Sequence, residues 1–194
     1  EIKELKALLD VMTEPRWRLV TEFLSLTGLR IGELVALNDT DVWGNIIRIN
    51  KTYDANNNVI TSAKTFSSKR DIHIQTELKD CVDRIREYTA WQIEVCGYQS
   101  DLFFPDTDGG YLSYHAYRKY LAENAVKVTS KKVTPHCLRH THCSMLAAAG
   151  MNLDSIANRL GHEDSKITKE IYLHRLEELK EKENKQLDGI RLLS

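Results

Sequence analysis

The stretch TPHCLRHTHC at residues 134–143 combines a helix start with a dense set of His, Cys and Arg side chains. Thr134 is a favourable N-cap and Pro135 suits the first helical position, so a helix is predicted to begin here. His136 and Arg139 are three positions apart and therefore face the same way. Backbone N–H groups at a helix N-terminus already favour anions, so these two side chains would complete a phosphate site.

Two other interpretations of this stretch stay open on the residues alone. One is an ordinary helix, with part of its surface exposed and part in the core. The other is a metal site, since His136 and His140 have the i, i+4 spacing of helical zinc pairs and two Cys lie nearby. No HExxH arrangement and no second ligand pair at zinc-finger spacing accompany them, and Arg139 on the same face would repel a cation.

A second candidate region is TGLRIGEL at residues 27–34. Its two glycines allow close backbone approach and a tight turn between helices around Arg30. Glu33 follows three positions later and could orient the Arg30 guanidinium. The alternative is a surface Arg–Glu pair, which contributes little to stability.

Three further positions carry side chains of possible chemical use. Lys64 follows a predicted strand, and Lys69 and Arg70 precede the next one. A Lys at a hairpin tip is usually solvated, but it can also reach a phosphate as a mobile cation or proton donor. His162 stands in an LGH tripeptide and Tyr172 in a helical stretch, where a Tyr is normally an amphipathic core residue.

Composition excludes several classes of protein. The chain has 194 residues, of which 42% are hydrophobic, and its 27 Lys and Arg nearly balance 28 Asp and Glu. Such a chain forms one globular domain with at most a short appendage, and no apolar run approaches the length of a membrane helix. A local basic patch can still bind nucleic acid despite the neutral total. The basic candidates without intervening acids are Lys127, Lys131, Lys132, His136, Arg139 and His140.

The four cysteines form no CxxC pair and no compact framework. They are therefore interpreted as free thiols in a reducing compartment, and the expected location is the cytoplasm. The chain begins without Met, so it is expected to be a fragment of a longer protein.

Hydrophobic periodicity predicts an α+β fold that is mostly helical with a small three-stranded antiparallel sheet. Apolar residues recur at helical spacing in both halves of the chain. Three short segments with strand character lie between them, at residues 45–49, 58–61 and 71–74. A turn-prone run at residues 54–58 separates the first two strands.

In this order, the candidate motifs resemble the tyrosine recombinase, or phage integrase, family. They are TGLRIGEL at 27–34, a hairpin Lys at 64, HCLRH at 136–140, LGH at 160–162 and a Tyr at 172. The resemblance covers residues 20–175, nearly the whole chain. One such motif would be weak evidence, but five in the family's order with natural spacing are specific.

The resemblance implies a role for each matching residue. Arg30 and Arg139 resemble the two catalytic arginines, with Glu33 as the acidic partner of the first, and Tyr172 resembles the nucleophile. The other catalytic candidates are His136, His162 and the hairpin Lys64, for which Lys69 is a weaker alternative. The predicted DNA contacts are Lys69, Arg70, Lys131, Lys132 and His140. No metal and no cofactor are expected.

The implied activity is site-specific DNA recombination or integration for a mobile genetic element, through a 3′-phosphotyrosyl intermediate. The implied partners are double-stranded DNA and further copies of the protein, as a tetrameric synapse of the full-length chain, with no membrane. Residues 1–175 are expected to form the catalytic domain and 176–194 a tail helix that exchanges between protomers. The family's N-terminal DNA-binding domain is expected to be absent from this sequence. Alternatives are a type IB topoisomerase-like relaxation activity and a non-enzymatic DNA-binding module.

Overall fold

The protein is described by a computed structural model that covers residues 2–62, 68–161 and 166–188, excepting the side chains at 166–167, 182–183 and 187–188. Its helices confirm the mostly helical prediction. They are α1 Ile2–Val11, α2 Pro15–Thr27, α3 Ile31–Val35, α4 Thr76–Cys96, α5 Tyr114–Ala125, α6 Pro135–Ala148, α7 Leu153–Leu160 and α8 Lys166–Asp188. The strands are β1 Val42–Trp43, β2 Ile46–Ile49, β3 Lys51–Asp54, β4 Val59–Ser62 and β5 Arg70–His73.

A three-stranded antiparallel sheet is present, but its strands differ from the predicted set. The order is β1–β2–β5, while β4 pairs with β3 in a separate antiparallel hairpin. The reason is local, because Asp54 accepts hydrogen bonds from the N–H groups of Asn56 and Asn57 and closes a tight turn between β3 and β4. In contrast, Ile47 of β2 and Ile72 of β5 are paired and fully buried against the core.

Helix α2 lies at the centre of the molecule and packs against α4, α5 and α6. From Leu19 to Thr27 every residue of α2 except Glu22 is buried, and all of these buried residues are apolar or small and polar. It ends at Gly28, whose φ of 68° places it in the left-handed region. A Cβ at this position would lie 2.6 Å from both His142 and Leu160, so glycine lets the end of α2 meet α6 and α7 closely.

Gly32 permits a second close approach, between α3 and the β3–β4 hairpin. A Cβ on Gly32 would lie 2.7 Å from the Tyr53 carbonyl oxygen and 2.8 Å from Thr52 Oγ1. The two glycines of the TGLRIGEL motif therefore have the close-packing role that the sequence predicted.

Helix α8 runs without interruption across positions 175 and 176, where the sequence divided the catalytic domain from its tail. The division itself stays a prediction. Among the described residues, every helix is too short or too polar to pass through a lipid bilayer.

Candidate active site

Arg139 of α6 joins the ends of two other helices. Its side chain is buried, with Nη1 donating to the Gly28 carbonyl and Nη2 to the Leu160 carbonyl, each at 2.6 Å. These carbonyls lie at the C-termini of α2 and α7, where backbone acceptors lack partners within the helix. Burial and the nearby charge of Arg30 lower the pKa of Arg139 to about 9, which leaves its guanidinium protonated at neutral pH.

Arg30 precedes α3 and is held by Glu33. The Arg30 backbone N–H donates to Glu33 Oε2 at 2.8 Å, and its Nη1 donates to Oε1 at 3.0 Å. The Glu33 side chain is only 4% exposed, whereas that of Arg30 is 38% exposed. The Glu33 carboxylate therefore holds the Arg30 guanidinium from the protein interior, and the opposite side of the guanidinium is accessible to a ligand from solvent.

The structure places Arg70 in the interior rather than on a DNA-facing surface. Its side chain is 6% exposed and forms a forked pair with Glu33, with both nitrogen–oxygen distances at 3.0 Å. It also donates to the carbonyls of Ser68 at 3.1 Å and Arg159 at 2.7 Å. Its guanidinium is directed inward although neighbouring Lys69 is exposed, so the DNA contact of Arg70 stays a prediction that this buried position does not favour.

Glu33 is the shared acceptor of this arrangement. Burial alone would raise the pKa of Glu33, but the hydrogen bonds and charges of Arg70 and Arg30 outweigh it and hold the pKa below its usual value. The carboxylate is therefore ionised and compensates the surrounding positive charge. We call the group formed by Arg30, Arg70 and Arg139 around Glu33 the arginine cluster.

His136 lies in the first turn of α6, beside the arginine cluster. Burial lowers its pKa, and the charges of His140, Arg139 and Arg30 lower it further. The His136 and His140 rings are separated by 6.1 Å between centroids. The structure thus brings together Arg30, His136 and Arg139, and it keeps the His136 ring neutral at neutral pH, able to accept a proton.

Tyr172 lies on α8 and is half-buried, on the far side of α6 and α7 from the core of α2. Its side chain packs with Leu146 and Ile171 against a small apolar cluster. The members of that cluster are Cys143, Ala147, Ile156 and Leu160. Leu160 thus belongs to this apolar cluster and also contacts the arginine cluster, since its carbonyl binds Arg139. Among the described residues, no hydrogen bond joins Tyr172 to the arginines.

Lys64 and His162 lie outside the described residues. On one side of each of these gaps, the described chain contacts the arginine cluster. Ser68, just after the Lys64 segment, is bound by Arg70. Gly161, just before His162, ends α7 with a φ of 68°.

Two residues that sequence reasoning did not assign complete the arrangement. His142 Nδ1 lies 2.8 Å from the Ser25 carbonyl, and Arg159 Nε donates to His142 Nε2 at 3.2 Å. Burial, together with the Arg159 charge, lowers the pKa of His142 to about 3, so the ring is neutral and its Nδ1–H donates to Ser25. The available signal was helical spacing, because His142 follows the core residue Leu138 by four positions.

The predicted DNA contacts outside the cluster occupy varied positions. Lys131 and Lys132 are exposed beyond α5, and Lys131 forms an ion pair with Glu4 at 3.3 Å. His140 is half-buried on α6 and Lys69 is exposed before β5. These four assignments stay predictions. Within the described ranges, no three His, Cys, Asp or Glu side chains gather as a group that could hold a metal ion.

Comparison with known proteins identifies the relatives of this chain. The sequence model of the phage integrase family matches residues 1–178. The integrase of Staphylococcus phage L54a is 32% identical over 181 residues, which are 87% of this chain and 51% of that protein. The chain thus spans about half the length of this curated relative.

Two solved structures share the fold. XerA recombinase aligns with a TM-score of 0.74 at 22% identity, over 94% of this chain and 62% of that one. The Tn1549 transposon integrase, solved in complex with circular intermediate DNA, aligns with a TM-score of 0.70 at 22% identity, over 88% and 60%. The α+β fold predicted from the sequence is confirmed by these alignments.

Proposed function

The chain belongs to the phage integrase family, and we propose that it is the catalytic domain of a site-specific DNA recombinase that cleaves and rejoins double-stranded DNA. The observation that carries this proposal is the convergence of Arg30 and Arg139 beside His136, since the arginine charges lower the pKa of His136 and that of Arg30 lowers the pKa of Arg139. The two guanidinium groups can bind an anionic phosphodiester, and the neutral imidazole beside them can accept the proton of the attacking hydroxyl.

The arginines bind the scissile phosphate in this proposal. A phosphodiester is anionic and repels nucleophiles, so its non-bridging oxygens need positive partners in the transition state. Arg30 is open to solvent and reaches the phosphate first. Arg139 is rigid because two carbonyls fix the plane of its guanidinium. Such preorganised groups need little rearrangement when charge develops during the reaction.

Tyr172 is the proposed nucleophile. A free tyrosine hydroxyl has a pKa of about 10, so it attacks poorly at neutral pH unless its proton is taken up. The neutral His136 ring accepts that proton as the Tyr172 oxygen bonds to phosphorus. The bond from phosphorus to the 5′ oxygen breaks, which leaves a 3′-phosphotyrosyl ester. The ester retains the bond energy, so rejoining requires no ATP.

Lys64 and His162 complete the proposed chemistry. Lys64 donates a proton to the departing 5′ oxygen, and His162 donates a hydrogen bond to the phosphate or to the tyrosine. Their roles depend on the family assignment and on their sequence positions next to segments that adjoin the arginine cluster.

DNA and further copies of the protein are the proposed partners. The L54a relative is named an integrase and the Tn1549 structure contains circular intermediate DNA, which supports DNA as the substrate and a mobile element as the source. The isolated domain should bind DNA chiefly through phosphates, with strong salt dependence. Full-length copies are proposed to act together as a tetramer on paired sites.

Covalent trapping on nicked suicide duplexes tests the proposal. A random-sequence library is incubated in EDTA with the wild-type chain and with Tyr172→Phe, then run on denaturing and native gels. The expected result is a wild-type adduct attached to a 3′ phosphate end, which Tyr172→Phe lacks although it still shifts DNA on the native gel.

Other outcomes of this experiment identify the alternatives. A native shift without any adduct from the wild-type chain would favour a non-enzymatic DNA-binding module. An adduct accompanied by relaxation of supercoiled plasmid, but no exchange between paired sites, would favour topoisomerase-like activity. An adduct that Tyr172→Phe retains would overturn the assignment of the nucleophile.

A further inference from the structure

Arg70 makes more connections between separate segments than its position in the sequence indicates. It is the first residue of β5, and its guanidinium donates in three directions. Two nitrogens pair with the Glu33 carboxylate on α3, one also reaches the Ser68 carbonyl, and Nε donates to the Arg159 carbonyl on α7. The side chain is 6% exposed, so these bonds form largely out of water.

One of these acceptors contacts a group assigned to the reaction, and the other two lie three or four positions from one in the sequence. Glu33 binds both the backbone N–H and the guanidinium of Arg30. Ser68 follows the segment that contains Lys64, and Arg159 lies three positions before His162. Arg70 is therefore bonded to Glu33, which holds Arg30, and to two described residues that lie near Lys64 and His162 in the sequence.

We propose that Arg70 is a positioning residue that fixes Arg30, through Glu33, relative to the start of β5 and the last turn of α7. It acts through Glu33, Ser68 and Arg159 and does not touch DNA. The inference rests on the proposed function, because the positions it fixes matter for phosphodiester cleavage.

The geometry requires an arginine at this position. A planar guanidinium offers donors in a fixed fork, which matches both oxygens of Glu33 while Nε points to a third acceptor. A lysine would keep the positive charge but would concentrate its donors on one atom. Arg70→Lys therefore preserves the charge of the arginine cluster and removes the three-way connection.

The chain contains a matched control pair. Arg84 of α4 forms a forked ion pair with Glu22 of α2, and one of its nitrogen–oxygen distances is 3.0 Å. Its side chain is 47% exposed, and the pair does not connect segments of the arginine cluster. Arg84→Lys thus makes the same chemical change at an Arg–Glu fork that has no proposed function.

The first experiment measures cleavage and binding separately. Single-turnover cleavage of a suicide duplex is followed at saturating DNA for the wild type, Arg70→Lys and Arg84→Lys, with Kd measured over a series of salt concentrations. Arg70→Lys is expected to slow cleavage by about 100-fold, as a displacement of about 1 Å can do. Its Kd and salt dependence should match the wild type, and Arg84→Lys should leave all three unchanged.

A contact with DNA would give the opposite pattern. Kd would rise and the salt dependence would become shallower, because one phosphate contact would be lost. That result would overturn the positioning role, and so would an unchanged cleavage rate in Arg70→Lys.

The second experiment needs no DNA and no activity. Amide hydrogen exchange is measured by NMR, well below the Tm of each variant, at Arg30, whose N–H binds Glu33, and at Gly161, whose N–H closes α7. Arg70→Lys should accelerate exchange at both amides by about tenfold, as expected for a weakened charged hydrogen bond, while Arg84→Lys accelerates neither. Acceleration confined to β5 would contradict the proposal.

The two experiments distinguish the failure of each idea. A wild-type chain that forms no covalent adduct would contradict the proposed function, whereas exchange at Arg30 and Gly161 would still show whether Arg70 holds the segments together. A wild-type chain that cleaves DNA, with an Arg70→Lys variant that cleaves equally fast, would contradict only the inference about Arg70.

Discussion

The arginine cluster and helix α8 are held in place by different kinds of interaction. In the cluster, Glu33 and Arg70 are 4% and 6% exposed and bond to three elements of the fold. On α8, the ion pairs of Glu178 with Arg175 and His174 are local and largely exposed. Exposed pairs of this kind contribute little, whereas breaking a buried pair leaves an uncompensated charge and is costly.

This difference separates the two halves of the proposed reaction. The proposed phosphate-binding groups are fixed by buried polar bonds, while the proposed nucleophile Tyr172 packs, with Ile171, against a small apolar cluster of α6 and α7. Substitutions in the cluster should therefore change both stability and chemistry. Substitutions on α8 should change chemistry or assembly with little effect on stability.

The largest expected contrast is between Arg139→Met and Tyr172→Phe. Arg139→Met should nearly eliminate the covalent adduct, since the loss of one charge-stabilising group alone reduces rates by about 100- to 1000-fold. Tyr172→Phe should eliminate the adduct because it removes the proposed nucleophilic oxygen. Arg139→Met should also lower the free energy of unfolding by about 3 kcal/mol, because the Gly28 and Leu160 carbonyls lose a buried donor. Tyr172→Phe should change it by less than about 0.5 kcal/mol.

Urea unfolding of both variants, alongside adduct formation on suicide DNA, measures this contrast. Arg30→Met is the control within the cluster, because its side chain is 38% exposed and Glu33 keeps Arg70 as a partner. It should slow cleavage with a small loss of stability. Equal destabilisation by Arg139→Met and Tyr172→Phe would contradict the contrast between the two regions.

A smaller effect is expected from pH, through His142 beneath the cluster. Burial and the Arg159 charge lower its pKa to about 3, below the value of about 6.5 for an exposed His. Between these values the unfolded chain binds a proton that the folded chain does not. Stability should therefore be unaffected above pH 6.5 and should fall by about 1.4 kcal/mol per pH unit below it, or about 2 kcal/mol at pH 5.

The loss of stability that we attribute to His142 is checked by unfolding free energies of the wild type and His142→Gln, measured from pH 8 to pH 5. The variant is expected to be less stable at pH 8 but to lose less stability on acidification. His174 of α8 provides the comparison, since it is exposed, and His174→Gln should leave the pH slope of the wild type. A wild-type slope retained in His142→Gln would exclude His142 as its source.

The smallest effect on the folded domain is expected from shortening α8. Deletion of residues 180–194 removes the end of α8, whose described side chains there are exposed, and should leave the Tm nearly unchanged because the Tyr172 packing lies outside the deletion. If the tail exchanges between protomers, the deletion should weaken multimeric complexes on DNA in native gels and sedimentation. Unchanged assembly on DNA would contradict that role for the tail.

The sequence predicted most of the fold because its signals are local. The Pro135 helix start, the left-handed Gly28 and the helical spacing of apolar residues each depend on a few neighbouring positions. The pairing of β4 was harder to predict, since only three strand-like segments were recognised in the sequence and β3 was not among them. Its partner was decided by a tight turn at Asp54 rather than by burial.

The sequence indicated which residues belong to the candidate site, but it did not indicate the hydrogen bonds and ion pairs that connect them. Arg30, His136 and Arg139 come together as their motifs predicted. Arg70 was named as a DNA contact together with Lys69, which precedes it before the predicted strand, and no sequence signal places its guanidinium against Glu33. That pairing joins positions 37 residues apart, so it depends on how β5 packs beside α3.

The most direct measurement is identification of the residue that becomes attached to DNA. The trapped wild-type adduct is digested with a nuclease and a protease, and the peptides that retain a nucleotide are sequenced by mass spectrometry. The account predicts one modified peptide, with the nucleotide on Tyr172 through a 3′ phosphate. A nucleotide on any other residue, or an adduct that persists in Tyr172→Phe, would contradict it.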